Sequence, residues 1–160
     1  MRVWSCAVAL LALLVAGPSQ AQAALDAPAG QAPVGSLATT LQLIRHRWQL
    51  VEATDAHGQR IAALFVADAA PLELDFNASL VSVGRACRVM SAHQRVLADR
   101  LEVATFDIAP QPCPVPAQAA RDVQIVRRLQ GTLRLHFEPD PPLKLVLVNA
   151  DGDRLVFAGE

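Results

Sequence analysis

Apolar and polar residues alternate with a period of two through much of this chain. In "LELDFN", Leu72, Leu74 and Phe76 fall on one face and Glu73, Asp75 and Asn77 on the other. This is the pattern of a strand that covers a core on one side and meets water on the other. "TLRLHFE" repeats it, with Leu133, Leu135 and Phe137 apolar and Arg134, His136 and Glu138 polar. In "RLEVATF", Leu101 and Val103 face one way, and "SLVSVGRACRVM" continues in extended style. "LKLVLVN" is apolar on both faces, as a strand buried on both sides is, and "ADGD" joins it to "RLVFAG" in a hairpin. Pro139, Pro141 and Pro142 interrupt the link before it and predict a loop at an edge.

Nearer the start, "WQLVEAT" is extended, with Trp48, Leu50 and Glu52 sharing a face, and the turn "DAHGQ" leads into "RIAALFV" as a first hairpin. Ser36 is placed to cap a short helix running through Leu37, Leu41 and Ile44. The segment Ala117–Gly131 has apolar residues at Ala119, Val123 and Val126, flanked by Ala120 and Leu129, and stops at Gly131. That spacing predicts a long helix with its Val and Leu face on the sheet. The sum is an α+β, mainly antiparallel fold: a curved sheet or partly open barrel with one long packed helix and a short N-terminal helix.

The first residues read differently. Arg2, an apolar run from Ala7 to Ala16, the breaker Gly17-Pro18 and the small residues Ala21 and Ala23 are the layout of a secretory signal, residues 1–23, cleaved after Ala23. The run is too short to span a bilayer comfortably, so no stable membrane anchor is expected after cleavage. Cys6 precedes the apolar run and leaves with the signal, which disfavours a lipoprotein. Residues 24–35 mix Ala, Pro and Gly without periodicity and are expected to be a flexible leader. Residues 36–160 then form a single domain, within a mature length of 137 residues that allows a real core.

Charge adds exclusions. Loss of Arg2 leaves 13 basic residues against 15 acids, a formal charge of −2, and no basic footprint calls for nucleic acid or an anionic membrane. Every basic residue except Lys144 is arginine, which reads as coding bias.

Two cysteines remain after export, Cys87 and Cys113, 26 positions apart. In an oxidising compartment such a pair is expected to form a disulfide. The rival reading is a reactive thiolate at Cys87 activated by Arg85 or Arg88. Strand alternation would put only Arg85 on the face of Cys87, and no C-x-x-C accompanies it. His46, His57, His93 and His136 are scattered without metal-ligand spacing, His57 and His93 in predicted turns, so no metal or cofactor is expected. No G-x-S-x-G or H-E-x-x-H is present, and no catalytic residue is assigned. Glu73 and Asp75 read as a solvated strand face, with Arg134, His136 and Glu138 as candidate cross-strand partners. Asn77-Ala78-Ser79 is a glycosylation sequon by pattern, set aside because the signal is bacterial in style.

From Leu41 to Phe157 the order of motifs resembles the META domain, or HslJ-like, family of bacterial envelope proteins. The residues that carry the resemblance are Trp48-Gln49-Leu50, the "PLELDF" strand, Gly84 and Cys87, Thr105 with Cys113-Pro114, and the final "LVLVNADGDRLVF" hairpin. Ala86-Cys87-Arg88 stands where the family usually has Gly-Cys-Asn, and Gln111-Pro112-Cys113 where it has Met-Ala-Cys. The resemblance implies an exported antiparallel β-domain with a packed helix, associated in some members with envelope stress or antibiotic tolerance, and no established enzyme activity. The resulting expectation is a periplasmic or secreted, non-enzymatic interaction module that binds an envelope protein. The alternative is a carrier of a small apolar ligand inside the barrel; a thiol-based redox protein using Cys87 is a third.

Overall fold

The computed structural model describes residues 34–160, with side chains from Ser36 onward. The expected signal, residues 1–23, and the leader as far as residue 33 lie outside the described residues. Helix α1 (Val34–Ile44) is followed by β1 (Arg47–Thr54), a 3-10 turn (Ala62–Leu64), β2 (Glu73–Phe76), β3 (Leu80–Gly84), β4 (Met90–Val96), β5 (Arg100–Val103) and β6 (Asp107–Ile108). Helix α2 (Pro116–Leu129) then leads into β7 (Gly131–Glu138), β8 (Lys144–Val148) and β9 (Arg154–Gly159).

Among the described residues every strand pairing is antiparallel, and the sheet closes. The order β3-β2-β1-β9-β8-β7-β5-β4 returns on itself because β3 also pairs with β4, Leu80 opposite His93 and Val83 opposite Met90. Closure removes the free edges that an open sheet would carry. The described residues therefore form an eight-stranded barrel with two helices, more closed than alternation alone predicts. Strand β6 extends the line of β5: Gln94–Val96 of β4 pair with β5, while Met90 and Ser91 pair with Ile108 and Asp107.

Alternation places the core. Leu74 and Phe76 of β2, Leu101 and Val103 of β5, Leu133 and Leu135 of β7, and Leu155 and Phe157 of β9 point inward, into one cluster with Trp48. Each such side chain is worth roughly 1.5–3 kcal/mol on burial. A register shift between Leu50 and Glu52 changes the parity of β1. Ala53 consequently joins the core, and Glu52, expected on the face of Trp48, points outward and pairs with Arg154 at 2.9 Å. On β8, Leu145 and Leu147 face inward, while Val146 is buried on the outside, flanked in register by His136 and Val156. Near it, the outer face carries an ion network in which Arg154 bridges Glu52 and Glu138, each at 2.9 Å.

The helices cap opposite ends. Trp48 Nε1 donates to Leu43 O (2.9 Å) and Thr39 Oγ1 donates to Ala98 O (3.4 Å), which sets α1 at the end bearing the β4–β5 turn. Arg128 of α2 pairs with Asp153 at 3.0 Å, beside the β8–β9 turn at the other end.

Both helices depart from their predicted faces. Helix α1 begins at Val34, so Ser36 lies inside it, buried, and its carbonyl accepts from Thr40 Oγ1 at 2.7 Å. Leu43 is the buried anchor of this helix, whereas Leu37 is 60 % exposed and Leu41 and Ile44 are also exposed. Helix α2 buries Arg121, Asp122, Ile125 and Leu129 and leaves Val123 57 % exposed. Gly131, at φ +103, ends it as expected. The first hairpin does not form: after the turn, Arg60 makes a lone bridge with Thr54, and the apolar run folds as the 3-10 turn and loop under α2.

Candidate functional site

Strand β3 ends at Gly84, and the chain turns sharply through Arg85 before β4 begins at Met90. Arg85 takes φ +57, the left-handed region that a non-glycine residue enters at a cost. The turn persists because several contacts hold it. The Asp122 carboxylate, fully buried on α2, accepts the backbone N–H of Cys87 through Oδ1 and of Arg88 through Oδ2, both at 3.0 Å. Its neighbour Arg121 is 2 % exposed and donates from Nη2 to Arg85 O (2.6 Å) and from Nη1 to Ala70 O (2.9 Å).

Covalent chemistry adds to the clamp. Cys87 and Cys113 are joined by a disulfide with a Cα–Cα distance of 5.7 Å, tying the turn to the segment ahead of α2. Gln111 Nε2, in that segment, donates to Cys87 O at 3.0 Å. The bond suggests an oxidising compartment. Among the described residues, no helix is long and apolar enough to cross a membrane.

A buried charge survives only when it is paired and hydrogen-bonded. The Asp122 carboxylate meets that condition through the Cys87 and Arg88 amides and the Arg88 guanidinium. Arg121 meets it in part, through the Arg85 and Ala70 carbonyls, with its Nε buried and without a hydrogen-bond partner among the described residues. Burial pulls the Arg121 guanidinium below its ordinary pKa, and the charge of Asp122 opposes that shift.

Beside the turn, on the outer face of β1–β3, lies a groove of about 350 Å³. Its floor is low because Ser82 and Gly84 carry little side chain, and Arg47, Glu73, Asp75 and Arg88 stand around it. Arg85 Nε donates to Glu73 Oε1 at 2.5 Å. Arg88 Nε lies 3.4 Å from Asp122 Oδ2.

The fold is known elsewhere. It is similar to the NMR structure of a protein from Burkholderia xenovorans, with a TM-score of 0.62 and 21 % identity over 92 % of this chain and 99 % of that one. A second NMR structure of a protein is similar at a TM-score of 0.52 and 18 % identity, over 74 % and 93 % of the two chains. No family model matches the sequence, and no curated protein matches it.

The predicted site residues are thus partly gathered. Cys87 and Cys113 meet. Arg85 and Arg88 do not act on a free thiol; they reach Glu73 and Asp122 respectively, since the strand alternation used to place them ends at Gly84. Glu73 pairs with Arg85, while the expected partners Arg134, His136 and Glu138 lie on β7, which does not neighbour β2 in the closed order. His93 sits on β4 and not in a turn, and His57 is in a turn. Among the described residues, no three of His, Cys, Asp and Glu are grouped as a metal site.

Arg121 and Asp122 were not singled out by periodicity. The signal that finds them is Ile125 and Leu129: a stripe anchored on those two, extended one turn back, carries 121 and 122 inward.

Proposed function

We propose that this chain is an exported META-like domain, a non-enzymatic module that acts in the periplasm by binding another envelope component under stress. The observation that carries this reading is the clamped turn. A surface turn held by hydrogen bonds to a buried carboxylate and a buried guanidinium and by a disulfide is a rigid feature, and rigid features bind without a large ordering cost. The motif order around Trp48, "PLELDF", Cys87 and Cys113 supports the family, and the disulfide supports export.

Proximity labelling from this protein in its native periplasm tests the reading. An envelope protein enriched over an exported control, together with a defective envelope-stress response in a deletion strain, is the expected result. No enriched envelope partner and a normal stress response overturn it.

The carrier reading has a different physical basis from the one expected. The space inside the eight strands is occupied by the core cluster around Trp48, Leu74 and Phe157. An apolar groove of about 590 Å³ instead lies between Phe65 and Val66 on one side and Val115 and Ala120 on the other. Native mass spectrometry of freshly purified protein decides for this reading if an apolar species travels with it, and against it if the bare chain mass alone is found.

A further inference from the structure

The outer face of the barrel at β1–β4 has a continuous cross-strand row: Arg47 opposite Asp75, Asp75 opposite Ser82, and Ser82 opposite Ser91. Arg47 and Asp75 are directly opposed, yet among the described residues neither has an ion-pair partner. Arg88, across the groove, uses only its Nε in a side-chain hydrogen bond, leaving both terminal nitrogens of the guanidinium uncommitted among the described residues. Three guanidinium groups with open terminal donors therefore line one groove, those of Arg47, Arg88 and Arg85, the last already engaged with Glu73 through its Nε, over a floor of Ser82 and Gly84.

We propose that this groove binds a carboxylate carried by a peptide, received by Arg47 and Arg88. A planar guanidinium donates two parallel N–H bonds to a carboxylate and so sets both its position and its orientation. Phosphate satisfies the same donors, but Glu73 and Asp75 stand in the same groove, and a dianion there meets like charge that a monoanion meets less. Asp75 accepts the amide N–H donors that a peptide supplies and a phosphate lacks. Val89, 68 % exposed and lining the same groove, gives the neighbouring peptide residue an apolar contact. The volume of about 350 Å³ suits one or two residues and is within the range of small-ligand sites.

The clamp explains why the site is built here. Arg88 leaves a turn whose backbone is already held by Asp122, Arg121 and the disulfide, so the guanidinium is presented before a ligand arrives. This assignment rests on the reading of the chain as an interaction module and names the chemistry its partner would offer.

The test is a titration of the isotopically labelled, disulfide-bonded domain, followed by amide shifts, with four probes. They are a terminally capped peptide carrying one glutamate, its glutamine counterpart, free acetate and inorganic phosphate. The expected result is saturable shifts around positions 47, 75 and 82–89 for the glutamate peptide, weakening with salt, and at least about tenfold weaker binding for the other three. Arg47→Gln and Arg88→Gln each reduce affinity by about tenfold. Arg47 has no ion pair to lose, so its variant carries the test alone if Arg88→Gln disturbs the turn. Equal binding of the glutamine peptide, acetate or phosphate, or an absence of shifts in the groove, overturns the proposal. An inert groove with an envelope partner still recovered by proximity labelling removes this site and leaves the module reading intact. Selective peptide binding with no envelope partner recovered and a normal stress response keeps this site and removes the envelope-stress reading.

Discussion

Asp122 Oδ1 accepts the backbone N–H of Cys87 at 3.0 Å across 35 positions of sequence, from a carboxylate with no exposure to solvent. The cysteine is thus held twice, by its sulfur to Cys113 and by its amide to α2. Both ties fix the same turn, and each makes a separable prediction.

Asp122→Ala leaves two backbone donors without their acceptor and strands Arg121 in the interior with no adjacent counter-charge. The expected loss is about 2–6 kcal/mol, from two buried amide donors left unsatisfied at about 1–3 kcal/mol each. Urea unfolding measures the total, and hydrogen exchange at the Cys87 and Arg88 amides shows whether the turn loosens first.

Replacing both Cys87 and Cys113 by serine opens a loop spanning 26 positions. The chain-entropy estimate is a loss of about 3.5 kcal/mol. A urea midpoint that falls for the wild type on adding reductant, and not for the double variant, is the expected outcome.

Trp48→Phe retains most of the buried ring but removes the indole N–H that donates to Leu43 O. The carbonyl is left buried and unpaired, at a cost of about 1–3 kcal/mol. Because this bond joins α1 to the barrel, amide protection in α1 should fall further than protection in β8.

Asp55 governs the turn after β1. Its Oδ1 accepts the N–H groups of His57 and Gln59, both at 2.9 Å. The Gln59 bond, foremost, holds the carboxyl below its ordinary pKa of 3.8, with smaller help from His57 and against the effect of burial. The folded pKa is the lower one, so the stabilisation is complete above 3.8 and is lost as pH falls through the folded value. Carboxyl chemical shifts of Asp55 between pH 6 and pH 2, read beside amide exchange at Gln59, check both direction and consequence; a midpoint above 3.8 contradicts it.

Much of the barrel is legible in local pattern. Leu72, Leu74 and Phe76 alternate with polar residues, and so do Leu133, Leu135 and Phe137; these positions are in or against the core as alternation requires. "ADGD" marks the β8–β9 turn, where Gly152 takes φ +87, and Cys87 and Cys113, the two cysteines beyond the expected signal, are joined as their pairing predicts. These features are local or depend on counting, so they survive without coordinates.

What alternation cannot convey is which neighbour completes a polar group. Helix α1 shows an apolar face at Leu37, Leu41 and Ile44, yet the barrel end takes Leu43, because Trp48 reaches for its carbonyl. Along the chain, Arg121-Asp122 is indistinguishable from a solvated charge pair.

The sequence by itself determined most of the strands, though not the fate of the run after Arg60, together with the position of the long helix and the cysteine pairing, because periodicity and redox chemistry act over short range or through residue identity alone. Only the tertiary structure decided that β3 closes on β4, that Arg121 and Asp122 are buried, and that Arg47 and Arg88 share a groove. Burial of a charge depends on distant backbone donors and acceptors, here the Cys87 and Arg88 amides and the Ala70 and Arg85 carbonyls, which meet the helix only after the barrel has closed.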